Sequence, residues 1–105
     1  MFHTAHTLQL KPGKLAGYRE AHQQLWPEIA QSMSSNGVSM AIYHHEERLF
    51  LFATAPSEAD WERSREHPAL AKWDATMTEY LVEKAPGEIA FHPPEKVFGF
   101  GQFAK

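Results

Sequence analysis

Val38-Ser39-Met40-Ala41-Ile42-Tyr43 is followed by His44-His45-Glu46-Glu47 and, after Arg48, by Leu49-Phe50-Leu51-Phe52-Ala53-Thr54-Ala55. Two apolar, β-favouring runs around a polar stretch predict two strands joined by a hairpin turn, the second strand nearly all apolar. Consecutive strands in mid-chain rule out a simple alternation of strand and helix. The flanking segments then decide the fold. Residues 2–10 alternate, with Phe2, Thr4, His6, Leu8 and Leu10 on one side and His3, Ala5, Thr7 and Gln9 on the other, until Pro12-Gly13 breaks the strand. From Lys14 the period changes. Leu15, Tyr18, His22, Leu25, Ile29 and Met33 follow at steps of three or four, one face of a long helix. Pro27 predicts a kink or restart near Trp26-Pro27-Glu28, and Asn36-Gly37 supplies a left-handed stop.

Downstream of the hairpin, Ser57-Glu58-Ala59-Asp60 is a capping-box pattern for a short helix. Pro68 suits the first position of another helix over 68–83, with Leu70, Trp73, Met77 and Tyr80/Leu81 as its buried face. Pro86-Gly87 ends that helix. A last strand is expected at Glu88–His92 or Lys96–Phe100, with Pro93-Pro94 preventing one continuous central strand. The order strand, helix, two strands, helix, strand is the split βαβ pattern. It predicts an α+β, ferredoxin-like βαββαβ domain spanning 1–105, a four-stranded antiparallel sheet with helices on one face. Such a sheet leaves its other face bare. The aromatic C-terminus (Phe98, Phe100, Phe103) and the apolar third strand predict that a second subunit covers it, as a homodimer.

Composition narrows the function. Ten Lys and Arg against thirteen Asp and Glu, with neither sign in a long block, leave no footprint for nucleic acid or an anionic membrane. The absence of cysteine excludes disulfides, thiolate catalysis and cysteine metal sites. Without a secretory leader or a membrane-spanning apolar run, a cytoplasmic protein acting on a small neutral molecule is the expectation.

Tyr18, His22 and Trp26 are spaced i, i+4, i+8 and project from one stripe of the first helix. An imidazole between a phenol and an indole has two readings. One is a core histidine bonded to a backbone carbonyl. The other is a general acid/base in a cavity between helix and sheet. Tyrosine and tryptophan suit a sugar, because flat apolar rings take C–H groups while the hydroxyl and indole N–H make hydrogen bonds. Trp73 is placed to line the same cavity, and Trp61 to pack. Glu28 is read as a first-turn carboxylate favoured by the helix dipole. His44-His45-Glu46-Glu47 reads as a solvated turn rather than a metal cluster, since adjacent residues point apart; no metal is expected. His3 and His6 fall on opposite faces, and His67 reads as an exposed residue at a helix start.

Tyr18-Arg19-Glu20-Ala21-His22-Gln23-Gln24-Leu25-Trp26-Pro27-Glu28-Ile29 resembles the signature helix of the L-rhamnose mutarotases, Tyr-x3-His-x3-Trp-Pro-Glu. The similarity continues through Gln9 and Pro12, Gly37, Ala41-Ile42-Tyr43, Leu51-Phe52, Lys72-Trp73, Met77 and Val97-Phe98. The resemblance implies a dimeric α+β barrel of ferredoxin-like subunits, no organic cofactor, and interconversion of the α and β anomers of L-rhamnose. It implies His22 as the acid/base residue, with Tyr18 and Trp73 on the sugar. Trp26, Met40, Tyr43 and Asp74 complete the expected substrate-binding set. Met40 stands where the family carries a substrate-contacting tyrosine, beside a one-residue deletion, and Asp74 replaces the second of a tandem tryptophan pair. Lys84-Ala85-Pro86-Gly87-Glu88 replaces an Asn-Pro-Asp-Asn-Ser loop. These departures bear on which sugar is used, with L-fucose or another aldose as alternatives. Two rival functions share the architecture: a cofactor-free monooxygenase of the dimeric α+β barrel type, and a non-catalytic sugar-binding module.

Overall fold

In the computed structural model, which describes residues 1–104, the chain runs β1 (Phe2–Gln9), α1 (Leu15–Gln23), α2 (Pro27–Ser35), β2 (Ser39–His45), β3 (Arg48–Ala55), α3 (Glu58–Ser64), α4 (Pro68–Met77), β4 (Glu83–Ala85) and β5 (Glu88–Ile89). A 3₁₀ turn at Gly101–Phe103 follows. The long helix divides at the proline. Trp26 takes an extended conformation (φ −61°, ψ 133°) and Pro27 opens α2. A proline ring tolerates the first turn of a helix but not its interior, so α2 restarts rather than bends.

The sheet has the order β1-β3-β2, with β3 antiparallel to both neighbours. β1 and β2 are therefore parallel and separated by β3, the split arrangement that the hairpin requires. Register fixes the faces. Leu8 pairs with Leu49 and His6 with Leu51, while Ile42 pairs with Leu51 and His44 with Leu49. Alternation turns these residues toward the helices. There Leu8, Leu49, Ile42 and Leu51 join Tyr18, Ile29, Leu70, Trp73, Met77 and Leu81 in one hydrophobic core.

The expected fourth strand is only a remnant. Residues after α4 form a separate two-stranded ribbon, β4-β5, around Pro86-Gly87. Gly87 has φ +80°, which suits the third position of a turn with proline before it. On the outer edge of β1, isolated bridges join Thr7 to His92 and Leu10 to Leu81. The ladder stops there because Pro93 and Pro94 carry no N–H to continue it. Helix α4 also ends earlier than the predicted 83, at Met77, and a turn carries the chain to β4.

The other side of the sheet is thinly covered. Phe103 packs edge-on against His3 and Phe52, at ring separations of 5.3 and 5.4 Å. Tyr43 and Phe50 stay exposed on this side, and Val97, Phe98 and Phe100 stand out in solvent from an extended arm.

Gly37 ends α2 in the left-handed region (φ +67°), with Val38 N–H donating to the Met33 carbonyl at 3.0 Å and Gly37 N–H to the Ser34 carbonyl at 3.1 Å. A Cβ there would meet Pro56 at 2.9 Å, whereas one at Gly13 (φ +76°) meets open space. Gly13→Ala should lose about 1–2 kcal/mol from left-handed strain alone. Gly37→Ala is expected to lose more, and urea denaturation of both variants measures the difference due to Pro56.

Candidate active site

Between the helices and β1-β3-β2 lies a cavity of about 470 Å³. Its floor is apolar: Leu8 from β1, Met40 and Ile42 from β2, Leu49 and Leu51 from β3. Helix α1 contributes Tyr18 and His22, α2 contributes Ile29 and Met33, and α4 contributes Leu70, Trp73, Asp74 and Met77. Arg65, at the joint between α3 and α4, reaches the same space. The size and mostly apolar lining with a few convergent polar groups are those of a small-molecule site.

The polar centre is built by α1. His22 Nδ1–H donates to the Tyr18 carbonyl one turn earlier, at 2.9 Å. A carbonyl only accepts, so this bond places the proton on Nδ1 and leaves Nε2 with a free lone pair. Both readings of His22 meet here. It is bonded to a backbone carbonyl, and it also lines a cavity with its other nitrogen unspent. The imidazole lies 4.2 Å from the Tyr18 ring and edge-on to Trp73 at 5.2 Å. Burial holds its pKa below the usual 6.5 against the opposing effect of the carbonyl bond, so the neutral form prevails at pH 7. Tyr18 is buried, and desolvation pushes its phenol up to about 12, which keeps the hydroxyl protonated.

Tyr80 meets the Tyr18 ring edge-on at 6.5 Å. Gly17 makes room for it, since a Cβ there would sit 2.7 Å from the Tyr80 ring. Trp26 meets Trp73 edge-on at 5.2 Å but does not line the main cavity; it borders a smaller cleft between α1 and α4. The break at Pro27 takes Trp26 off the Tyr18–His22 stripe.

The structure thus brings Tyr18, His22, Met40, Trp73 and Asp74 to one cavity and leaves two expected contacts outside it. Tyr43 falls on the opposite face of β2 from Met40 and His44, 67% exposed, because its pleat position turns it away from the helices. Trp26 is displaced as described. Glu28 is exposed in the first turn of α2 and does not reach the cavity. His67 caps α4, its Nδ1 accepting from Ala69 N–H at 3.0 Å. His44 reaches the cavity rim and His45 pairs with Glu46 in solvent. Among the described residues no group of histidine and carboxylate side chains has the geometry of a metal site.

Sequence reasoning missed Arg65 as a cavity residue. Arg65 is half-buried with its guanidinium 5.4 Å from the Trp61 ring centre. His6 packs against Phe91, and its buried Nδ1 has no hydrogen-bond partner. The alternation of β1 places His6 on the Leu8 side, as the sequence predicts; nothing in the local sequence marks Arg65.

A family model described as L-rhamnose mutarotase matches residues 3–100. An L-rhamnose mutarotase of Jannaschia sp. is 33% identical over 97 residues, covering 90% of this chain and 93% of that protein. One from Rhizobium meliloti is 32% identical with the same coverage. The crystal structure of an L-rhamnose mutarotase from Formosa agariphila superposes with TM-score 0.80 at 27% identity, covering 96% of this chain and all of that one. A protein of antibiotic biosynthesis monooxygenase type from Nitrosomonas europaea superposes with TM-score 0.63 at 16% identity, a likeness of fold alone.

Because the folded pKa of His22 lies below its unfolded value of 6.5, the unfolded chain binds the extra proton first on acidification. The His22 contribution to stability is therefore complete above pH 6.5 and is lost as pH falls from there through the folded pKa. NMR titration of the His22 ring should give a midpoint below 6.5, and His22→Gln should weaken the decline of thermal stability over that acid range.

Proposed function

The chain belongs to the L-rhamnose mutarotase family, and from that premise we propose that His22 opens and recloses a pyranose ring in the cavity between α1, α4 and the sheet. The family interconverts the α and β anomers of L-rhamnose, a carbohydrate isomerisation, and this is the activity assigned here. The observation that carries the assignment of His22 is its hydrogen bond to the Tyr18 carbonyl, which leaves a basic Nε2 beside the cavity.

Mutarotation requires two proton transfers. Nε2 takes the proton from the anomeric hydroxyl as the C1–O5 bond breaks, and O5 receives a proton as it leaves. The imidazolium formed in the first transfer carries a proton on Nε2, and one ring can return it to O5. The aldehyde then turns about C1–C2 and the steps reverse on its other face. A positioned acid/base of this kind contributes about 10²–10⁴-fold. Burial favours the neutral base before each turnover. Tyr18, with a phenol that stays protonated, offers a donor to a sugar oxygen. Trp73 presents its indole to the C–H face of the ring, held on one side by His22 and on the other by Trp26. Met40 and Asp74 contact the sugar from β2 and α4.

The homodimer belongs to the same proposal. Tyr43 and Phe50 expose apolar surface on the open face of the sheet, and Val97, Phe98 and Phe100 extend beside it at 81–90% exposure. A second copy covering this face would bury all five and complete an α+β barrel, with the remnant at His92 growing into a fourth strand. Tyr43 then serves the interface rather than the sugar. Action in the cytoplasm, as expected from the sequence, is part of the same reading.

NMR saturation transfer between the anomers of L-rhamnose tests the reaction. Acceleration by the wild-type chain should fall at least about 100-fold in His22→Ala with the fold retained, in line with loss of a general acid/base; a wild-type chain that speeds no anomeric exchange ends the mutarotase assignment. The acid limb of the rate profile should lie below pH 6.5. Phe98→Asp should shift the sedimentation coefficient from dimer to monomer, and an unchanged value would place the interface elsewhere.

A further inference from the structure

The cavity wall contains one feature that ring opening at His22 does not use. Arg65 and Asp74 both line the cavity, from the α3–α4 joint and from the middle of α4, and both are half-buried. Each senses the other. Burial raises the Asp74 pKa while the Arg65 charge lowers it, and burial lowers the Arg65 pKa while Asp74 raises it. Yet their side chains form no direct ion pair or hydrogen bond, with each other or with any described residue. Among the described residues the Arg65 guanidinium meets the ring face of Trp61, 5.4 Å away, and its charge lowers the pKa of His6.

Two opposite charges drawn out of water that do not close on each other are costly unless a third group satisfies both. A hydroxyl has the matching chemistry. Its oxygen accepts from a guanidinium N–H while its proton is donated to a carboxylate oxygen, and vicinal hydroxyls can divide the task. A methyl or ring C–H group placed there leaves both charges unmet. An anionic sugar acid would set its own carboxylate against Asp74. A neutral, hydroxyl-rich sugar is the ligand that meets both.

We propose that Arg65 and Asp74 form a specificity-determining pair that bridges a hydroxyl of a neutral aldose, fixing which ring edge faces His22. The proposal rests on the mutarotase reading of the same cavity. The pair lies on α3–α4 whereas the proton-transfer group lies on α1, so recognition and chemistry are carried by different elements.

The test combines direct binding, by isothermal titration calorimetry, with anomeric exchange, by NMR saturation transfer. The ligands are L-mannose, its 6-deoxy form L-rhamnose, and 2-deoxy-L-rhamnose, which differ stepwise by one hydroxyl. The proteins are wild type, Arg65→Ala, Asp74→Ala, the double variant, and the conservative Asp74→Asn, each checked for an unchanged circular dichroism spectrum. In the wild type at least one hydroxyl deletion should cost 10-fold or more in binding, since a site built around a hydroxyl discriminates strongly against its loss. In either alanine variant that discrimination should fall below about 2-fold, with the loss in KM rather than kcat. The double variant should be no worse than the singles, because both groups hold one hydroxyl. Asp74→Asn, which keeps an acceptor, should recover part of the binding. Additive losses, a pure kcat effect, or unchanged discrimination would overturn the pair while leaving mutarotation intact. Binding that depends on the pair without any wild-type acceleration of exchange would overturn mutarotation while leaving the pair.

Discussion

One hydrogen bond orders the polar centre of the cavity: the His22 imidazole bound through Nδ1 to the Tyr18 carbonyl of its own helix. It satisfies one buried polar atom and fixes which nitrogen is free. It also fixes the plane of the ring between Tyr18 and Trp73. Because donor and acceptor are one helical turn apart, the bond depends on α1 staying helical through His22, and the break that sets Trp26 against Trp73 comes only after it. A proline one turn earlier would have removed both.

The sheet serves two purposes through its pleat. Even-numbered positions of β1 and β2, with the odd positions of β3 opposite them, build the cavity floor; the alternate positions carry the exposed aromatics. A shift of one residue in the β2–β3 register would turn β2 over against β3, putting Tyr43 under the helices and Met40 and Ile42 in solvent. The hairpin turn at Glu46-Glu47, with Glu46 at φ +57°, therefore controls the site as much as any residue in it. It does so from a distance.

Much of this was legible in the sequence because periodicity and turn chemistry are local. The hairpin, the restart at Pro27, the stop at Gly37 and the cap at Ser57 all follow from residue types acting within a few positions, and Ser57 Oγ does accept from Asp60 N–H at 3.2 Å. What escaped depends on non-local placement. Tyr43 and Met40 differ by three positions, so opposite pleat faces exclude a shared contact, but the apolar residues of Val38–Tyr43 fall on both faces and conceal which one is inward. Trp26 belongs to the helical stripe by count and leaves it by backbone conformation. Arg65 becomes a cavity residue only because two short helices meet there, and the fourth strand fails because two prolines fall where a ladder would continue.

The edge-to-face contact of Trp26 with Trp73 has an optical consequence. Their indoles lie 5.2 Å apart with planes at 84°. At such separations aromatic transition dipoles couple, and the resulting splitting depends on the angle between them. The chain's remaining tryptophan, Trp61, sits apart from this pair beside Phe2 and Arg65. The near-ultraviolet dichroism of the folded chain should therefore carry an exciton contribution from this pair, whose inner member lines the cavity. The molecule carries a built-in gauge of its own interior, sensitive to a tilt of Trp73 too small to alter the backbone.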